Sequence, residues 1–201
     1  MIFILSAPEP YQKVVRISYD SKLLLTGGDD GVLRVWTFPD LNPVHEIQAH
    51  DREIDDIEFS PDNLKAVSIS KDGRSLVWDV KRGKKHAEMG WDPPGGIKYL
   101  YKRIRFGRIE GDSKKFKVFT ISNPVGASKP PALLHRWDPK SYTIEQAVPV
   151  PGSLSALAVS DNGNFVATGS MFDGTVEIYT AFNLLVIISL FRVEKKKYLN
   201  Y

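Results

Sequence analysis

The feature that most constrains this chain is a repeat. Trp36 and Trp78 stand 42 residues apart, and so do Trp137 and Tyr179. Six positions before Trp36, Trp78 and Tyr179 comes an aspartate followed by glycine: Asp30-Gly31, Asp72-Gly73 and Asp173-Gly174. A period of this length means that one supersecondary unit recurs. Each copy is too small to bury its own apolar face, so successive copies must stack.

The units overlay one another. Unit one reads VVRISYDSKLLLTGGDDGVLRVW, unit two IDDIEFSPDNLKAVSISKDGRSLVW and unit four LSALAVSDNGNFVATGSMFDGTVEIY. In each, an alternating strand ends at a polar turn: Tyr19-Asp20-Ser21, Ser60-Pro61-Asp62 or Ser160-Asp161-Asn162-Gly163. A second strand, an Asp-Gly turn and a third strand ending on the aromatic follow, which is hairpin chemistry. Fourth strands are expected at 44–48, 85–89, 143–148 and 184–191. Unit three, read from RIRFGRI, KFKVFTI and ALLHRW, is irregular. Phe59 and Trp78 bracket its regular counterpart, but Phe106 and Trp137 lie much further apart, and the excess is assigned to the loop 122–131, SNPVGASKPP. Residues 90–102 form a second long connection.

Four short strands at this period are the signature of WD-repeat β-propeller blades. The expected architecture is all-β, an incomplete propeller of about four blades over residues 1–201, at about 14–49, 50–92, 102–150 and 154–193. In a regular blade a His, a Ser or Thr, an Asp and the Trp form one buried hydrogen-bonded cluster, because the indole N–H between blades needs an acceptor. Unit two carries the full set: His50, Ser68, Asp72 and Trp78. Unit one carries Thr26, Asp30 and Trp36, and unit four Thr168, Asp173 and Tyr179. Unit three offers only Trp137.

His50, Ser68 and Asp72 are also the residue types of a hydrolase triad, but the repeat already explains all three, and no oxyanion hole is in sight. No catalytic residue is assigned. TGGDDG (26–31) is followed by a strand where a phosphate loop needs a helix, so it reads as a turn. Asp29 and Asp30 alone supply too few ligands for a metal, and no cofactor is expected. The chain has no cysteine, so neither a disulfide nor a thiolate site is available. Net charge is +3, only mildly basic. The basic clusters at 81–85, at Lys114, Lys115 and Lys117, and at 195–197 lack the interleaved aromatics that stack bases, so no nucleic acid is expected. In the acidic run DREIDDIE (51–58), Ile54 and Ile57 carry the apolar pattern; the acids read either as solvent-facing or as a propeller rim that meets a basic partner, and the sequence does not separate the two. The apolar start, Met1 to Leu5, lacks the length and basic flank of a signal peptide.

Residues 11–62, with YLYKRIRFG (99–107), LLHRWD (133–138), LAVSDNGNF (157–165) and GTVEIYTAFNL (174–184), resemble the prolactin regulatory element-binding protein family. The resemblance runs over nearly all of 11–184. It implies a seven-bladed propeller on the cytosolic face of the endoplasmic reticulum membrane, tethered by a C-terminal membrane helix. It further implies nucleotide exchange on the Sar-type small GTPase that starts COPII coat assembly. The partner is then that GTPase, the mechanism is protein binding, and membrane contact comes only through segments outside this sequence. The family's exchange loop lies in an N-terminal blade without a counterpart here, and the likeness fades after Leu184. This chain is therefore expected to be soluble, truncated and inactive in exchange by itself. The alternative is a WD scaffold with no GTPase partner.

Overall fold

A computed structural model describes residues 11–91, 96–109, 112–126 and 130–190. The sequence readings at Met1–Leu5, at 195–197 and at the end of unit four beyond residue 190 lie outside the described residues.

Four antiparallel four-stranded sheets follow one another along the chain. The first contains β1 (Gln12–Ile17), β2 (Leu23–Gly28), β3 (Val32–Thr37) and β4 (Pro43–Gln48). The second contains β5 (Ile54–Phe59), β6 (Lys65–Ser70), β7 (Ser75–Asp79) and β8 (Lys84–Met89). The third contains β9 (Tyr99–Ile109), β10 (Asp112–Pro124), β11 (Ala132–Trp137) and β12 (Ile144–Val150). The fourth contains β13 (Leu154–Val159), β14 (Phe165–Ser170), β15 (Val176–Thr180) and β16 (Val186–Leu190). In every sheet the strands pair in chain order, so each unit is a meander. Among the described residues no helix is long and apolar enough to cross a membrane.

The sheets stack through their faces. Leu25, Leu33 and Val35 of the first sheet pack against Ile54, Ile57, Phe59, Leu76 and Trp78 of the second. Val67, Ile69 and Val77 on the opposite face of the second sheet meet Ile104, Phe106, Val118 and Trp137 of the third. Phe119, Ile121 and Leu134 of the third meet Leu157, Val166 and Tyr179 of the fourth. Alternation sends successive side chains of each central strand to opposite neighbours. That is why KAVSIS and KVFTI read as nearly continuous apolar runs. The first strands also touch in series, β1 against β5, β5 against β9 and β9 against β13. The fourth strands lie at the far edges.

Unit three departs from the sequence reading in a definite way. Phe106 pairs with Val118, whereas its counterpart Phe59 pairs with Ala66. Much of the extra length thus lies in the β9–β10 hairpin, which carries a register shift between Asp112 and Phe116. It does not all lie in the 122–131 loop. Ser122 to Pro124 belong to β10, and Tyr99 to Lys102, read as connection, belong to β9. Residues 127–129 and 92–95, in the centres of the two connections, lie outside the described residues.

The Asp-Gly turns show why glycine recurs. Gly31 has φ +72°, and a methyl group placed on it would lie 2.2 Å from the His50 carbonyl oxygen. The Gly31 carbonyl in turn accepts the Ala49 and His50 amides, at 3.2 and 3.0 Å. This turn is therefore where the chain leaving the first sheet is fastened before it enters the second. Gly31→Ala is expected to cost well above the ~1–2 kcal/mol of a left-handed non-glycine residue, because backbone must also move. Gly90→Ala, where nothing lies within 4 Å, should leave stability nearly unchanged. Urea unfolding of the two variants checks the contrast.

Candidate functional site

In unit two, the structure links the four polar residues in one chain of hydrogen bonds. The Trp78 indole donates to Ser68 Oγ at 2.8 Å. Ser68 Oγ lies 2.7 Å from His50 Nε2, and His50 Nδ1 lies 2.9 Å from Asp72 Oδ2. The only direction that satisfies every group runs from indole to hydroxyl, hydroxyl to Nε2, and Nδ1–H to carboxylate. Asp72 also accepts the Arg74 amide at 2.8 Å and the Asp51 amide at 3.2 Å, which ties the β6–β7 turn to the entry of the sheet. Ser68 is 0% exposed. A hydroxyl that no substrate can reach cannot be a nucleophile, so the triad chemistry is excluded by burial.

Charge supports this direction. Burial lowers the His50 pKa and outweighs the attraction of Asp72. Burial pushes the Asp72 carboxyl up, but the Arg74 amide and His50 more than compensate, leaving it below its usual value. A neutral imidazole beside an ionised carboxylate is the state the hydrogen bonds require.

The other units build the site differently from the sequence reading. In unit one the Trp36 indole reaches Thr26 Oγ1 at 3.1 Å. Asp30, however, turns away from Thr26 to Arg34, at 2.7 Å, and caps the Val32 amide. With no histidine to bridge them, the carboxylate takes the nearest cation. Unit three holds more than Trp137: its indole donates to Thr120 Oγ1 at 2.9 Å. Beside it His135 Nε2 lies 2.9 Å from Ser122 Oγ. Trp91, Tyr101 and Trp137 surround the His135 ring, and burial drives its pKa down to about 3. The sequence signal for Thr120 was an offset. Thr26 and Ser68 each stand ten residues before their tryptophan, and the longer β10–β11 connection of unit three destroys that spacing. In unit four the Tyr179 hydroxyl donates to Glu177 Oε2 at 2.5 Å. Burial and the Glu177 charge raise its pKa. The Thr168 hydroxyl beside it makes no hydrogen bond of normal geometry among the described residues. Asp173 caps the Thr175 amide at 2.9 Å. The phenol is smaller than an indole and carries its polar atom at the tip of the ring, where its partner is Glu177 in place of the threonine.

The acidic run of β5 is the largest correction. Asp56 is 2% exposed. It accepts Arg16 Nη2 at 2.8 Å, Arg105 Nη1 at 2.6 Å, and the Ile57 and Ile104 amides at 3.1 and 3.2 Å. Glu58 meets Arg16 at 3.2 Å and Arg105 at 3.5 Å. Burial raises the Glu58 pKa in spite of both arginines. Lys13 bridges Glu53 at 2.6 Å and Asp55 at 3.5 Å. These acids face the basic residues of the neighbouring first strands, a relation between units that periodicity within one unit does not display.

The family model described as WD domain, G-beta repeat matches residues 11–37, 41–79 and 146–180. With four meander sheets stacked face to face, the chain belongs to the WD-repeat family and is an incomplete β-propeller. Among individual relatives, guanine nucleotide-exchange factor SEC12 of Rattus norvegicus and that of Mus musculus, members of the prolactin regulatory element-binding protein family, are each 34% identical over 183 residues. WD repeat-containing protein 91 of Gallus gallus is 32% identical over 188 residues. The alignments cover 88% of this chain with SEC12 and 86% with the Gallus gallus protein. The chain spans 43% of SEC12 and 24% of the other relative.

Two histidines held neutral by burial make acid destabilising. Each has a folded-state pKa below its unfolded value, so its contribution is complete above about 6.5. It declines as pH falls from there toward the folded values, near 3 for His135. Unfolding free energy measured between pH 7.5 and 4 is expected to fall steadily below 6.5. Ser68→Ala, which strands the Trp78 N–H, should cost about 1–3 kcal/mol in the same denaturation experiment at neutral pH.

Proposed function

We propose that this chain is the propeller segment of a guanine-nucleotide exchange factor for a Sar-type small GTPase, promoting COPII coat assembly and transport from the endoplasmic reticulum to the Golgi. The observation that carries the reading is the reach of the SEC12 likeness. An alignment over 88% of the chain must run through unit three, which the general repeat model passes over between residues 79 and 146. The alignment with WD repeat-containing protein 91 of Gallus gallus runs through the same unit over 86% of the chain, but at 32% identity against 34% and over 24% of that relative against 43% of SEC12.

In this reading the protein acts by binding and makes or breaks no covalent bond. Its blades present turns to the GTPase and favour the nucleotide-free state. The clusters around Trp36, Trp78, Trp137 and Tyr179 serve the scaffold and do no chemistry, and neither metal nor cofactor takes part. The site of action is the cytosolic face of the endoplasmic reticulum membrane. The second reading is an interaction scaffold without a GTPase partner, favoured by the likeness to WD repeat-containing protein 91.

The test mixes a Sar-type GTPase carrying a fluorescent guanine nucleotide with this chain, alone and extended by the sequence that flanks it in its transcript. The extended protein is expected to accelerate nucleotide release, and this chain alone to leave it unchanged. No acceleration by the extended protein, with recovery of a different stable complex from cells, would replace the exchange reading with the scaffold reading.

A further inference from the structure

The first-strand ends of all four units enclose a second polar feature that the exchange reading does not use. A cavity of about 440 Å³ is lined by Tyr19, Glu58, Arg105, Arg108, Ser160 and Asp161, with Phe106 and Val159 behind them. Its volume is that of a small-molecule site. The β1–β2 turn supplies Tyr19, the end of β9 supplies Arg108, and the β13–β14 turn supplies Asp161.

Arg108 is the unusual member. Arg16 and Arg105 both pair with Asp56 and Glu58, but Arg108 makes no ion pair among the described residues, and its Nε is buried without a hydrogen-bond partner. Its guanidinium lies 4.4 Å from the centre of the Tyr19 ring. A cation held over a ring face in this way is attracted to the ring without using up its N–H donors. The backbone below it is held too: a methyl group on Gly163 would lie 1.6 Å from the Arg108 carbonyl oxygen, so the fourth sheet's turn sits directly on this residue. Partial burial and the Glu58 charge raise the Tyr19 pKa, which keeps its hydroxyl a donor. Asp161 lines the cavity but comes within ion-pair distance of no cation among the described residues. The cavity thus brings together a guanidinium with no ion pair among the described residues, a tyrosine, the Asp161 side chain, and Glu58, whose carboxylate is already paired with Arg16 and Arg105.

We propose that this cavity is an oxyanion-binding site, with Arg108 as the principal donor, and Tyr19 and the outer edge of Arg105 as its supports. The ligand group is a carboxylate or a phosphate. The space is larger than one such group needs, so the oxyanion is one end of a larger molecule whose remainder lies toward Asp161. This inference stands on the cavity alone and is independent of the exchange reading.

The test titrates the full chain with inorganic phosphate, and separately with acetate, at ionic strength held constant with sodium chloride. The arginine Nε–Hε signals are followed by NMR. A saturable shift of the Arg108 signal is expected, and the tighter of the two anions identifies the group. Arg108→Met should abolish the saturable binding, and Arg108→Lys should weaken it about tenfold, as expected for one lost charged hydrogen bond. Asp161→Asn, on an exposed turn, should tighten it roughly two- to fivefold by removing a like charge. That variant decides the question even if the Arg108 variants do not fold. A response no larger than that to chloride, or one identical in wild type and Asp161→Asn, would overturn the proposal.

Discussion

No sheet of this protein has a core of its own. A single four-stranded meander buries nothing until another sheet covers it, and the three apolar clusters all lie between sheets. Leu25 and Val67 each point out of their own sheet into the next, and Trp78 and Trp137 point back into the one before. Face-to-face stacking is therefore the interaction on which the rest depends. The hairpins, the indole clusters and the cavity at the first-strand ends all take their positions from it.

Stacking by apolar faces is not directional, and something must set how far each sheet turns from the last. The inner charges are suited to that. Asp56 accepts from both neighbouring first strands at once, through Arg16 on one side and Arg105 and the Ile104 amide on the other. A buried carboxylate with four donors cannot slide relative to either strand without losing a partner, and losing one while buried is expensive. The indole clusters do the corresponding work further out. They fix where each aromatic enters the gap, through Thr26, Ser68 or Thr120.

The chain's sequence repeat and its sheets are offset, and the offset is physically informative. The family model's second match, 41–79, begins just before β4 of the first sheet and ends with β7 of the second. One repeat thus straddles two sheets. Gln48 illustrates the consequence: its amide donates to the Asp30 and His50 carbonyls, so the outer strand of one sheet is secured at the point where the next begins. Neighbouring units are fastened covalently and by hydrogen bonds as well as by apolar contact.

By itself the sequence determined the fold class, the order of the hairpins and the acceptors for Trp36 and Trp78. These depend on spacing within one unit, and spacing is what a repeat displays. Burial of Asp56 was not legible, because its partners Arg16 and Arg105 are 40 and 49 residues away. Nor was the acceptor for Trp137, because the long β10–β11 connection breaks the ten-residue offset that locates it in the other units. Replacing the Trp78 indole by the Tyr179 phenol looks conservative in sequence, yet it moves the polar atom and brings in Glu177. The setting of Arg108, which makes no ion pair among the described residues, is equally invisible in one dimension: Tyr19 and the turn at Gly163 lie against it, while Asp56 and Glu58 face Arg16 and Arg105. Contacts within a unit are written in the order of its residues, whereas contacts between units exist only once the sheets have stacked.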